Sequence, residues 1–358
     1  MSGLRRSKRI STKRLRDDSE TLPLSNTRGL PSLPLELHQE IASYFILPPL
    51  DPFHGPVLED HLEYLRRQRA FMAMAHTCKI LRTMYLPIGW DRLEISNDGT
   101  SQFLSRLLVR KFTFVTIDEP MLASKICEVS LTLGNYAPRV VFPKLADALA
   151  LLPNLRVLHI FPSLSPLARR SVAIINECFS AVKLISVLEV SFPMDTFGIV
   201  SSCPKASTVI CHSAGDWPYI SRHQFVDSVV LRQGLHTLRF PPINLGGKLF
   251  QKICSELSSL HEVGMVVLGN WMTTASVEGL KAFRKLRILH LKVVCIRQFE
   301  QRSAELFNAA VGIFNAIPAK GEEVKKLIIY QRGKNELEYT TQGMRVFGVE
   351  WGTVESCQ

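Results

Sequence analysis

One spacing returns along most of this chain and constrains what it can fold into: apolar, two residues, apolar, one residue, apolar. It occurs as Trp90/Leu93/Ile95, Ile126/Val129/Leu131, Leu155/Leu158/Ile160, Ile185/Leu188/Val190, Ala206/Val209/Cys211, Leu235/Leu238/Phe240, Leu260/Val263/Met265, Leu286/Leu289/Leu291 and Val324/Leu327/Ile329. Successive starts lie 36, 29, 30, 21, 29, 25, 26 and 38 residues apart, close to the period of stacked repeat units. Because 46% of the residues are hydrophobic, three apolar positions coincide by accident at roughly one position in ten. Shared context therefore decides. Pro153-Asn154-Leu155-Arg156-Val157-Leu158-His159-Ile160 and Arg284-Lys285-Leu286-Arg287-Ile288-Leu289-His290-Leu291 are near copies, and Gly234-Leu235-His236-Thr237-Leu238-Arg239-Phe240 is a third. Between them lie helix-compatible runs at 143–152, 167–181, 250–258, 277–283 and 297–316. Strand, loop, helix, loop, repeated, predicts a stack whose short parallel strands line one face. An ordinary α/β sheet built from the same elements is the structural alternative.

The repeats are irregular. Three residues after the last strand position, where a regular repeat carries Asn or Cys, stand Ser163, Pro193, Ala214, Ile243, Leu268 and Val294. The histidines His159, His236 and His290 fall between the apolar positions. They belong either to a polar row on the open strand face or to a surface without a role.

Upstream, Leu33, Leu37, Ile41, Tyr44 and Phe45 are spaced for one face of a helix. Pro34 suits its first turn, and Ser32 is a candidate cap. A second helical part runs from about Leu62 to Trp90, with Leu62, Leu65, Met74, Cys78, Leu81 and Tyr85 at helical intervals and Pro87 and Gly89 closing it. The link between them, Leu47-Pro48-Pro49-Leu50-Asp51-Pro52-Phe53-His54-Gly55-Pro56, is too rich in proline for a continuous helix.

LPLELHQEI at 33–41 and HTCKILRTMYLPIGWDRLEI at 76–95 resemble the F-box, in the version carried by fungal proteins with irregular leucine-rich repeats. The resemblance covers the first quarter of the chain well and the remainder as a repeat style. It implies an α/β chain with an N-terminal three-helix F-box at 30–95, interrupted by an inserted loop at 46–66, which is longer than the usual link. An irregular leucine-rich-repeat-like α/β solenoid would follow at 96–358. It further implies docking to a Skp-type adaptor, and through it to a cullin, by Leu33, Pro34, Leu35, Leu37, Ile41, Cys78 and Leu81, with Trp90 closing the module. The repeat domain would hold a target protein for ubiquitin transfer. The same residues also read as plain core faces, with amino-terminal helices that merely cap a repeat scaffold.

Charge is placed unevenly. The formal net charge is +11, and residues 1–28 hold eight cations against three acids. This leader is expected to be a disordered basic tail, bounded at about residue 29. Its clusters Arg5, Arg6, Lys8, Arg9 and Lys13, Arg14, Arg16 suit the acidic groove of a nuclear import receptor. An undedicated solvated tail, a mitochondrial presequence and a nucleic-acid contact are the alternatives, the last belonging to a chromatin-associated scaffold. Nuclear or cytoplasmic residence is the expectation, since no apolar run approaches a membrane span or a signal core. The eight cysteines are scattered without a metal-ligand spacing and are expected to be reduced thiols. Phosphate loops, a nucleophile elbow and a zinc helix are all missing; Gly246-Gly247-Lys248 and His261-Glu262-Val263-Gly264-Met265 are only fragments of such motifs. The chain thus offers no catalytic residue, cofactor or metal of its own.

Overall fold

The computed structural model describes residues 29–45, 58–95, 101–162, 167–193, 195–212, 219–232, 234–240, 248–268, 279–294, 311–312, 326–331, 336–340 and 343–347. By contacts the chain divides into two compact units, 1–45 and 46–358. The first holds a short turn, Leu30–Ser32, and helix α1, Leu35–Ser43.

The second is mixed α/β. Helices α2 (Leu58–Ala75) and α3 (Lys79–Gly89) precede strand β1 (Arg92–Ile95). There follow α4 (Ser101–Thr113), β2 (Glu128–Leu133), α5 (Pro138–Ala150), β3 (Val157–Pro162), α6 (Arg169–Ala181), β4 (Glu189–Pro193), α7 (Gly198–Ser202) and β5 (Thr208–His212). Then come α8 (Tyr219–Val230), β6 (Thr237–Phe240), α9 (Lys248–Glu256), β7 (Glu262–Leu268), β8 (Ile288–Val294), β9 (Lys326–Gln331), β10 (Glu336–Thr340) and β11 (Gly343–Phe347). Among the described residues eleven strands form one sheet in strict chain order. Pairing is parallel from β1 to β9, and β10 and β11 close the end antiparallel. The strand order never reverses, so the sheet lacks the switch-point crevice in which doubly wound sheets bind ligands.

Register explains the recurring spacing. Leu93, Val129, Leu158, Val190, Val209, Leu238, Val263, Leu289 and Leu327 form a single row across the nine parallel strands. Just ahead of the strands one carbonyl per repeat accepts two successive amides of the next: Asp91 from Cys127 and Glu128, Cys127 from Arg156 and Val157, and so on to His261, which accepts from Arg287 and Ile288. Each repeat thereby fixes the register of its neighbour.

The fourth repeat needs a correction. Val190, not Leu188, stands in the row, so the triplet there is Val187/Val190/Phe192, all fully buried, whereas Ile185 and Leu188 are exposed. A shift of two residues keeps every side chain on its face, and apolar residues at both offsets satisfy the same spacing. Three residues after Phe192 then stands Asp195, in place of Pro193.

The row and its neighbours join α4 to α9 in one apolar core, including Leu108, Phe142, Leu145, Ile175, Phe179, Phe225 and Phe250. Burial of this kind stabilises by about 1.5–3 kcal/mol per large side chain. Alternate strand positions face away from that core and carry the polar residues described below.

At the amino-terminal end of the sheet, α2 packs on α3 through Phe71 and Tyr85, whose rings stack 5.9 Å apart. A Cβ at Gly89 would come within 3.2 Å of Phe71, so glycine permits the close approach. The expected inserted loop at 46–66 is shorter than that span: 58–66 are helical. No proline or glycine follows Gly55 and Pro56 until Pro87, and a run of good helix formers propagates freely. Residues 46–57 lie outside the described residues.

Candidate docking surfaces

Each surface follows from local chain chemistry. Leu33 is extended (φ −67°, ψ 146°), as the residue before a proline must be. Pro34 occupies the cap position of α1 without a side-chain cap. The Ser32 hydroxyl is not that cap; it donates backwards to the Gly29 carbonyl at 2.7 Å. On α1, Leu35 is 56% and Leu37 43% exposed. Pro34 is also exposed, and Leu33 and Ile41 are half-buried. The buried side chain of this helix is His38, and Leu35 and Leu37, two residues apart and so on different sides of the helix, are its exposed leucines.

The partner-contact residues assigned to the second helical part divide differently. Leu81 (2% exposed) and Trp90 (6%) are core residues, and the Trp90 ring lies 5.5 Å from that of Phe114, tilted by 32°. They hold the fold from inside and present nothing to a partner. Cys78, half-buried, caps α3 without a side-chain hydrogen bond. The apolar side chains open here are Ile80 and Leu62. The spacing did not single out Ile80, although it neighbours Leu81 on an amphipathic helix.

α2 turns a different stripe inward than Leu62 and Leu65. Tyr64, Arg67, Phe71 and Ala75 are its buried residues. Arg67 donates both arms to the Asp91 carboxylate, at 3.1 and 3.0 Å, while lying 5.0 Å over the Phe71 ring. The Glu94 amide donates to the Tyr64 hydroxyl at 3.1 Å. An edge-strand amide that would otherwise stay open is thereby satisfied. Lys111 donates to the Glu94 carbonyl at 2.8 Å; burial pushes its amine down to about 8, with Glu94 pulling it back up.

On the outward strand face the repeat histidines His159 and His290 are buried, whereas His236, just ahead of β6, is exposed. His159 Nδ1 lies 2.7 Å from Ser191 Oγ. Arg239 donates to Glu262 Oε1 at 2.8 and 2.6 Å, and His290 Nε2 is 3.1 Å from the same oxygen. Burial alone would raise the Glu262 carboxyl, but the His290 hydrogen bond and the Arg239 charge outweigh it and hold it down at about 2. Gly264 makes this possible, since a Cβ there would stand 2.6 Å from Arg239 Cγ. At the strand edge His236 and His261 face each other, Nδ1 to Nδ1, at 3.3 Å.

Among the described residues no group of three or more His, Cys, Asp or Glu is placed to hold a metal. No described helix is long and apolar enough to cross a membrane. Cys203, Cys211 and Cys254 are buried; burial pushes the Cys203 thiol up to about 11 and Cys254 up to about 12. Arg5, Arg6, Lys8, Arg9, Lys13, Arg14 and Arg16 lie outside the described residues. Comparison with protein-family models and with curated proteins finds no match.

Proposed function

We propose that the chain is a substrate-recognition subunit of a Skp/cullin/F-box ubiquitin ligase, docking the adaptor with its amino-terminal helices and a target protein with an irregular leucine-rich-repeat-like domain. The observation that carries this reading is the exposure of Leu35 and Leu37 on α1, directly after Pro34. Exposed apolar side chains occur elsewhere on the chain too; what singles these two out is their place in the LPLEL run that resembles the docking motif. Leu33, Pro34, Leu35, Leu37 and Ile41 are then one contact set, and Cys78 with the exposed Ile80 of α3 is another; Leu81 and Trp90 are core residues of the second unit. The chain contributes proximity and orientation, and the bond chemistry belongs to its partners. The basic tail serves nuclear import in this reading.

The test is co-purification. Leu33→Ala with Pro34→Ala is expected to lose a Skp-type adaptor while the sheet melts as before; unchanged recovery of the adaptor overturns the reading.

One observation favours a second reading, a repeat scaffold without a ligase. Tyr64 and Arg67 bind α2 to β1 and Asp91, as a helix capping the sheet would. If that scaffold sits on chromatin through its tail, nucleic-acid binding falls steeply with salt and disappears on deletion of 1–28. Salt-insensitive or absent binding removes it.

A further inference from the structure

Strands β2 to β8 run parallel in chain order, so the connections that lead into them end at one rim of the sheet. These are residues 123–127, 151–156, 182–188, 203–207, 231–236, 257–261 and 283–287. Together they hold eight Lys or Arg and no Asp or Glu. With 43 cations against 32 acids in the whole chain, the overall balance does not produce such a sorting. Lys125, Arg156, Lys183, Lys205, Arg284 and Lys285 are exposed, and none has an acid within ion-pair reach among the described residues. Arg232 differs: it turns back and donates to the Val200 and Cys203 carbonyls, at 2.5 and 3.0 Å, and closes the end of α7.

The partial negative charge of a helix end favours nearby cations, which accounts for Lys183 and Arg232 just after α6 and α8. It does not account for the exposed aliphatic side chains standing among the cations, Leu151, Ile185, Leu188 and Leu231. The Leu188 amide donates to the Arg156 carbonyl at 2.8 Å, so an unpaired cation and an open leucine sit side by side just ahead of β3 and β4. A surface of that mixture complements a partner that carries both acids and aliphatics. No Phe, Tyr or Trp is exposed in these connections, Phe283 being buried, so the rim lacks the rings on which the bases of a single-stranded nucleic acid stack.

We infer that this rim docks an acidic segment of a target protein that also bears aliphatic side chains. Its carboxylates meet the unpaired cations, and its aliphatic side chains cover Leu151, Ile185, Leu188 and Leu231. Six strand spacings make the rim from β2 to β8 ~29 Å long, a length that an extended dodecapeptide spans. That the segment belongs to a ligase target rests on the proposed function; the binding chemistry of the rim does not, nor does it involve the adaptor contact.

The test is fluorescence anisotropy on the full-length protein with a labelled dodecapeptide of four Leu-Glu-Glu units. It is expected to bind, and a peptide of four Ser-Glu-Glu units, equal in charge, to bind about ten-fold more weakly. Arg156→Glu with Lys183→Glu should weaken the Leu-Glu-Glu peptide by about ten-fold, and Leu151→Ser with Leu188→Ser should weaken it as well. Lys144→Glu with Arg170→Glu makes the same charge change at exposed positions of α5 and α6 and should leave binding as it was. The basic leader is common to all these proteins, so the differences report the rim, and substitutions at exposed positions should leave the melting midpoint in place. Leu33→Ala with Pro34→Ala should bind the peptide like the wild type, so failure of the adaptor reading and failure of this one are separate results. Absence of binding, equal binding of the two peptides, or an equal loss in the α5 and α6 variant overturns the inference. So does a twelve-nucleotide oligothymidylate that binds more tightly than the peptide and is lost with Arg156→Glu and Lys183→Glu, which would make the rim a nucleic-acid surface.

Discussion

Helices α1 and α3 carry the same kind of sequence pattern and end differently. Each places leucine, isoleucine and tyrosine at helical spacing. α1 leaves Leu35 and Leu37 open and buries His38, whereas α3 buries Leu81 and Tyr85 and leaves Ile80 open. Periodicity states which residues share a face; it does not state whether the same chain covers that face. α3 finds its cover in α2, through the stacked Phe71 and Tyr85. The exposed Leu35 and Leu37 are what make α1 a candidate for a partner.

The comparison is broken most directly by truncating α3. Leu81→Ala should cost about 2–5 kcal/mol, read as a lower urea midpoint for the whole second unit. Tyr85→Ala should cost as much or more. A loss under about 0.5 kcal/mol would mean that Leu81 is a surface residue after all, and that the two helices do not differ.

A second test asks whether α3 belongs to the cooperative unit of the sheet, and it uses acid. His159 sits far below its ordinary 6.5, so protonation favours the unfolded chain. The stability it confers is complete above about pH 6.5 and is lost as the pH falls toward 4. Glu262 is held down at about 2 from 4.5, so its contribution is complete above 4.5 and is lost between there and 2. Either limb is worth at most roughly 3 kcal/mol. His159→Gln should flatten the upper limb alone and Glu262→Gln the lower. Amide exchange in 79–89 should quicken together with that of the strands as pH drops. Exchange in 79–89 that ignores both limbs would separate α3 from the sheet.

The strands were legible because their apolar residues alternate and the turn before each is repeated. The misplaced fourth repeat arose where two offsets, Ile185/Leu188 and Val187/Val190, satisfy one pattern and only burial separates them. α2 was placed, but its inward stripe was hidden: Arg67 is charged by composition yet buried, its guanidinium satisfied by Asp91, 24 residues away. α4 escaped because it lies between the triplet that closes at Ile95 and the one that opens at Ile126, although Leu104, Leu108 and Phe112 stand four apart and all are buried. The Arg239, Glu262 and His290 cluster joins residues 23 and 51 apart, a contact made by strand register and by the missing side chain of Gly264.

Tyr64→Phe is a smaller probe of the same boundary. It removes one hydroxyl and leaves the Glu94 amide of the edge strand without its acceptor, a cost of about 1–3 kcal/mol. Hydrogen exchange at Glu94 should rise more than exchange at Leu131 in the neighbouring strand. Equal rises at both would mean that Tyr64 acts through packing, with no special part in closing the edge.

The least effect on stability is expected where the effect on association is greatest. Leu35→Ala with Leu37→Ala removes side chains that are about half exposed in the chain itself, so the melting midpoint should change by no more than about 0.5 kcal/mol in free-energy terms. Adaptor recovery in the same preparation should fall steeply, because each leucine covered by a partner contributes about 1.5–3 kcal/mol and losing two carries a micromolar complex out of reach. If instead the double variant melts as poorly as Leu81→Ala, Leu35 and Leu37 are internal residues like Leu81, and the difference between the two helices disappears together with the docking role built on it.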